Sequence, residues 1–231
     1  MTIPINKKQI KGEQMKKALL IAMLFGLSGV GCTSLSTLQG ARTNKKGEMT
    51  HTIGVGSYMT EITSSGSSGA KGTSGETVSL PMVEYMFRYG VADNFDFGLK
   101  YSGTSYGGDV KYNLMDGNFA LALGLGVNLL SVETTVGTTA TTTSITDIIV
   151  PIYMNYDLGN GSAYFVPKVI SKSISGGSQS TSLTQTGITI GYQFKKEKGI
   201  FIEYNMVMWS EDVSGTSKSY TIAQPAIGYV W

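Results

Sequence analysis

Phe119-Ala120-Leu121-Ala122-Leu123-Gly124-Leu125-Gly126-Val127-Asn128-Leu129 is apolar at every odd position and small or polar at every even one. A period of two describes a strand whose side chains alternate between two faces. Wound into a helix, the same apolar residues would spread around the whole circumference. The pattern recurs on both sides of this stretch. Phe95, Phe97, Leu99 and Tyr101 alternate with Asp96, Gly98, Lys100 and Ser102, and Ile188, Ile190, Tyr192 and Phe194 with Gly187, Thr189, Gly191 and Gln193. Extended along the chain, it predicts ten strands at about 49–60, 77–89, 94–103, 108–115, 118–130, 146–157, 162–173, 184–195, 199–209 and 220–231.

The connections also alternate. Residues 90–93, 116–117, 158–161 and 196–198 are tight turns rich in Gly, Asp, Asn and Lys, as hairpins require. Residues 61–76, 131–145, 174–183 and 210–219 are long and rich in Ser, Thr and Gly, with 104–107 the short exception. Short turns on one side and long loops on the other are the habit of transmembrane barrels. The expected fold is all-β: a closed, antiparallel, up-and-down transmembrane β-barrel of about ten strands over residues 49–231. An even strand number leaves both ends of the barrel on the side of the tight turns. Pro81, Pro151, Pro167 and Pro225 fall inside strands, where proline cannot donate to the ladder. A weakened pair or bulge is expected where Pro151 and Pro167 meet, and eight strands are the fallback if that hairpin fails.

Two features turn the bulky face outward. The opposite face carries Gly54, Gly56, Gly98, Gly124, Gly126, Gly187 and Gly191, which suits a crowded or wet lumen. Tyr85, Tyr89, Tyr101, Tyr156, Trp209, Tyr229 and Trp231 fall near strand ends, where aromatic belts meet the two membrane interfaces. The lumen then holds Glu84, Arg88, Asp96, Lys100, Lys111, Asp147, Lys168 and Glu203, with Asn113 and Asn205. Charges of both signs can pair there, with each other or with water. Charged residues make up only 15% of the chain and the formal net charge is +2, which excludes a nucleic-acid binder and an acidic disordered tail.

Met15 to Cys32 reads MKKALLIAMLFGLSGVGC. Lys16 and Lys17, the apolar run Ala18 to Leu27 and the small residues after it describe a secretory signal peptide over 15–31. Residues 1–14 do not fit that pattern. Lys11-Gly12-Glu13 can be encoded by a purine run like a ribosome-binding site, so Met15 is the expected true start. Residues 32–48 are expected as an N-terminal periplasmic segment.

The chain ends Ala226-Ile227-Gly228-Tyr229-Val230-Trp231. This resembles the assembly signal of bacterial outer-membrane β-barrel proteins, the porin-like barrels, with Tyr229 and Trp231 at the two aromatic positions. The family usually ends in Phe. The resemblance implies export to the bacterial outer membrane, contact with its lipids and insertion by the barrel-assembly machinery. Cys32, the only cysteine, with Gly31 and Val30 before it, is similar to the lipobox of bacterial lipoproteins, although Gly29 stands where Leu is usual. That similarity implies lipidation at Cys32, against ordinary signal-peptidase cleavage nearby.

No catalytic residue, metal site or cofactor is expected. His51 is the only histidine and no serine or carboxylate motif surrounds it. Gly54-Val55-Gly56 and Gly124-Leu125-Gly126 lack the strand-to-helix setting of a nucleotide site. Three function classes stand: a structural or surface-exposed scaffold with a narrow polar lumen, a narrow passive channel for ions or small solutes, and, weakest for want of a histidine motif, a barrel enzyme acting on lipids. The sequence names no ligand and no oligomeric state.

Overall fold

The computed structural model describes residues 33–62, 76–103, 105–136, 139–176, 179–195, 198–213 and 216–231. Residues 1–14 upstream of the expected start, the signal peptide and Cys32 lie outside the described residues. Ten strands follow one another: β1 (Met49–Ile62), β2 (Glu76–Ala92), β3 (Phe95–Ser102), β4 (Ser105–Met115), β5 (Phe119–Val136), β6 (Thr139–Asp157), β7 (Ser162–Gly176), β8 (Gln179–Gln193), β9 (Gly199–Val213) and β10 (Thr216–Val230). Each pairs with its neighbours in sequence, and β1 pairs with β10, so the sheet closes into an antiparallel barrel. Closure removes every sheet edge, which is what a hydrocarbon environment demands of a backbone. At the seam, His51 and Trp231 exchange backbone hydrogen bonds of 3.0 Å in both directions.

The eight-strand fallback does not apply, because β6 and β7 pair from Thr143↔Gly176 down to Asp157↔Ser162. Their ladder is interrupted between Pro151↔Lys168 and Met154↔Phe165, without a register shift. The weakened pair is therefore present, but Pro151 lies opposite Lys168 rather than Pro167, and no bulge forms there. Pro151 also marks a gap in the β5–β6 ladder, between Leu123↔Ile152 and Gly126↔Ile149.

The expected long loops at 131–145, 174–183 and 210–219 are corrected: they are mostly strand. Pairing continues to Val136↔Thr139 in β5–β6, to Gly176↔Gln179 in β7–β8 and to Thr216↔Val213 in β9–β10. These stretches lack the apolar face that betrays a membrane strand, yet their threonines favour extended backbone. The hairpins therefore project past the apolar band on the loop side.

The outward face carries Ile53, Val55, Val83, Leu99, Leu123, Leu125, Val127, Ile148, Val150, Val169, Ile190 and Ile202, all exposed. Glu84, Arg88, Asp96, Lys111, Asp147, Lys168 and Glu203 are buried. An inside-out distribution of this kind is stable only where acyl chains replace water outside. Tyr85, Tyr101, Tyr156, Tyr229 and Trp231 point outward, as a belt requires. Trp209 is a correction. It is buried inside the barrel, in an apolar cluster with Leu35, Tyr58, Ile170, Val207 and Ile222, because the alternation of β9 turns its odd positions inward.

Candidate functional site in the lumen

Leu35 in that cluster belongs to no strand. Residues 33–46, upstream of β1, run through the lumen as a strap. The sequence reading placed this stretch outside the barrel, as part of the periplasmic segment 32–48; the structure puts it inside. The reversal that sends it there is made at the rim on the tight-turn side. Glu48 N–H donates to the Lys45 carbonyl, Gly47 N–H to the Gly90 carbonyl, and Gly47 takes φ 81°, a conformation glycine adopts without steric cost. Gly90 must also be glycine, since a Cβ there would collide with the Lys45 carbonyl.

From this rim the strap climbs the barrel wall. Arg42 is held near the rim, at 3.0 Å from Asp157 and 3.4 Å from Asp116. Ala41 N–H donates to Asn155 Oδ1 (2.6 Å), and Asn113 Nδ2 donates to the Ala41 carbonyl (3.2 Å). Lys111 Nζ donates to the carbonyls of Gly40 (3.0 Å) and Arg42 (2.6 Å) and to Gln39 Oε1 (2.9 Å). Higher up, the two oxygens of Glu203 accept the successive N–H groups of Thr37 (3.0 Å) and Leu38 (3.1 Å). Ser36 Oγ donates to Glu84, and Lys100 Nζ donates to the Ser36 carbonyl (2.9 Å). Leu35 N–H donates to Gln224 Oε1 (2.9 Å), and Lys168 Nζ donates to the Leu35 carbonyl. At the top, Thr33 Oγ1 donates to Asp147, and Tyr58 Oη donates to the Thr33 carbonyl (3.0 Å).

Apolar side chains secure the same strap at intervals of three residues. Leu35 enters the Trp209 cluster, Leu38 packs with Met86, Phe201 and Val230, and Ala41 with Ala120, Ala122, Tyr153, Tyr164 and Val166. Leu38 holds φ 57°, a strained left-handed conformation for a bulky residue. Its pocket and the Glu203 carboxylate together keep it there. Gly40 lies against Asn155 so closely that any Cβ would strike the amide.

The lumen residues expected from the sequence divide into two groups. Arg88, Asp96 and Lys111 form an ion-pair cluster near the turn side, with Asp109 joining: Arg88 bonds to Asp96 and to Asp109 (2.6 Å), and Lys111 lies 3.8 Å from Asp96. Asp147 pairs with Lys172 at 2.8 Å as well as meeting Thr33. Glu84, Lys100, Lys168 and Glu203 grip the strap, as Lys111 and Asp96 of the first group also do. The sequence offered two partners for lumen charges, one another and water; the main chain of the protein's own leading segment is a third. A signal was present in Leu35, Leu38 and Ala41, apolar residues three apart in an otherwise polar stretch that lacks the strand period.

Aromatic rings lie over three of the inward glycines: a Cβ on Gly124 would strike Tyr153, one on Gly191 Tyr164, and one on Gly228 Phe201. Those positions make room for bulk rather than for water. One cavity of about 50 Å³ is bordered by Ser34, Lys100, Asp109, Asn128 and Lys168, room for a few waters. His51 is on the outer face near the turn-side rim, its Nδ1 at 2.7 Å from Tyr85 Oη and its ring stacked on Trp231 at 5.6 Å. No group of three or more His, Cys, Asp or Glu able to hold a metal ion occurs among the described residues.

No protein-family model matches the chain, and no curated protein matches it. Solved structures do. The outer-membrane protease OmpT from Escherichia coli aligns at 8% identity over 85% of this chain and 99% of its own, with TM-score 0.45. Neisserial surface protein A aligns at 9% identity over 78% of this chain and 95% of its own, with TM-score 0.39. The attachment invasion locus protein Ail of Yersinia pestis aligns at 14% identity over 80% of this chain and 99% of its own, with TM-score 0.27. At these values the likeness does not reach activity.

Proposed function

We propose that this protein is a sealed outer-membrane scaffold, a barrel whose lumen is occupied by its own N-terminal strap. The observation that carries the reading is the run of lumen-to-strap hydrogen bonds from Asp147 down to Asn155. Eight strands enclose little more than their own side chains, and here an extended polypeptide takes the added width of ten. The apolar exterior contacts outer-membrane lipids. Tyr229 and Trp231 serve in assembly, and Trp231 closes the seam against His51.

The enzyme reading is disfavoured because His51 faces outward and hydrogen-bonds a tyrosine, and among the described residues it has no serine or carboxylate partner. Planar-bilayer recording tests the proposal. The purified full chain is expected to be electrically silent at moderate voltage. Steady single-channel steps from the unaltered protein would sink the sealed scaffold and favour the passive channel.

A further inference from the structure

We propose that the barrel carries the front of its own chain to the far side of the membrane, so that the polypeptide joined to Thr33 emerges at the loop-side mouth rather than in the periplasm. This uses the strap's position and does not depend on the lumen being sealed.

The direction follows from the order of contacts. Moving backwards from Lys46, successive strap residues meet wall residues ever farther from the tight turns. Lys46 N–H donates to Asp93 in the β2–β3 turn, and Arg42 reaches Gly117 in the β4–β5 turn. Ala41 then meets Asn155, Thr37 meets Glu203, Leu35 meets Lys168 and Thr33 meets Asp147. Asp147 stands ten residues up β6 from Asp157, about 25 Å above the turn-side rim at the usual strand rise and tilt. The outward face of β6 is apolar at Ile148, Val150 and Ile152 and hydroxylic at Thr146 and Ser144. Asp147 is thus level with the upper edge of the apolar band. Lys172 and Tyr58, the other neighbours of Thr33, belong to the same level of β7 and β1. The strap has crossed the membrane by the time it reaches Thr33, on the opposite side from where β1 begins.

The wall is also built for this passenger. Without the strap, Glu203, Lys168 and Lys100 would lose the main-chain partners they now hold, and Glu84 the Ser36 hydroxyl, a costly arrangement in a narrow lumen. Cys32 is covalently next to Thr33. A lipid on Cys32 would therefore belong to the outer leaflet, not the periplasmic one.

The test places an epitope tag between Cys32 and Thr33 of the full-length chain in Gram-negative cells, with a control tag in the exposed Gly159–Asn160 turn. Antibody is expected to bind intact cells carrying the first tag as strongly as permeabilised ones, and to reach the control only after permeabilisation. A first tag reached only after permeabilisation overturns the proposal, whether or not the protein conducts. Should the tagged chain fail to assemble, the untagged Thr33→Cys, Asp147→Cys pair in a Cys32→Ser background decides. A disulfide on mild oxidation supports the threaded strap, and its absence in the assembled barrel refutes it.

Discussion

Glu203 accepts four hydrogen bonds, from the N–H groups of Thr37 and Leu38, from Tyr164 Oη and from Asn205 Nδ2. It ties the strap to β7 and to β9 at one point. Glu203→Leu removes the acceptors while leaving the donors buried, at about 1–3 kcal/mol for each group left unsatisfied. The expected outcome is a lower unfolding temperature in detergent together with the first appearance of conductance, because the strap loses its anchor. Glu203→Gln retains one carbonyl acceptor and should show a smaller version of both effects. Gly40→Val is a sharper probe of the same seat, because its Cβ strikes Asn155 without altering any wall residue. It should destabilise strap seating and leave barrel assembly, read as heat-modifiable gel migration, intact.

At the level of elements, the strap and the projecting hairpins play opposite parts. Two leucines anchor the strap in separate apolar clusters, each burial contributing about 1.5–3 kcal/mol. Leu35→Asp with Leu38→Asp should therefore release it, and bilayer recordings of the double variant should show steps absent from the parent protein. The β5–β6 extension has no such role. Its pairs from Ser131↔Ser144 to Val136↔Thr139 lie beyond the apolar band and are polar for the most part. Replacing 132–143 by a two-residue turn should leave gel migration and thermal unfolding unchanged within error. A large loss of stability would mean that the extension packs against something the strand ladder does not reveal.

Over the whole molecule, the lipid face sets the largest constraint. Leu125→Arg puts a charge near the middle of the outward band and should cost about 2–4 kcal/mol in urea unfolding from bilayers, whereas Ser173→Arg, outward and opposite Thr146 above the band, should cost about 0–1 kcal/mol. Similar penalties at the two positions would mean that the band is not where the exposed residues put it.

What the chain determined without tertiary information was everything local. Alternation from Phe119 to Leu129 requires a strand with unlike faces, and the spacing of tight turns yields antiparallel neighbours. Together these produced the barrel, its strand number and the inward position of Glu84, Arg88, Asp96, Lys100, Lys111, Asp147, Lys168 and Glu203. The hairpin extensions escaped because Thr and Ser repeats carry no hydrophobic alternation, so nothing local separates a polar strand from a loop. Trp209 was misassigned because proximity to a strand end does not say which face a ring occupies; only register does. The strap's apolar spacing at Leu35, Leu38 and Ala41 is in the sequence, but its partners could be found only in three dimensions. Its hydrogen bonds join residues up to 189 positions apart, as between Leu35 and Gln224, and no sequence period records a partner that distant. Closing the sheet created an enclosed polar space whose charges needed main-chain groups, and the folded barrel alone decided that residues 33–46 would supply them.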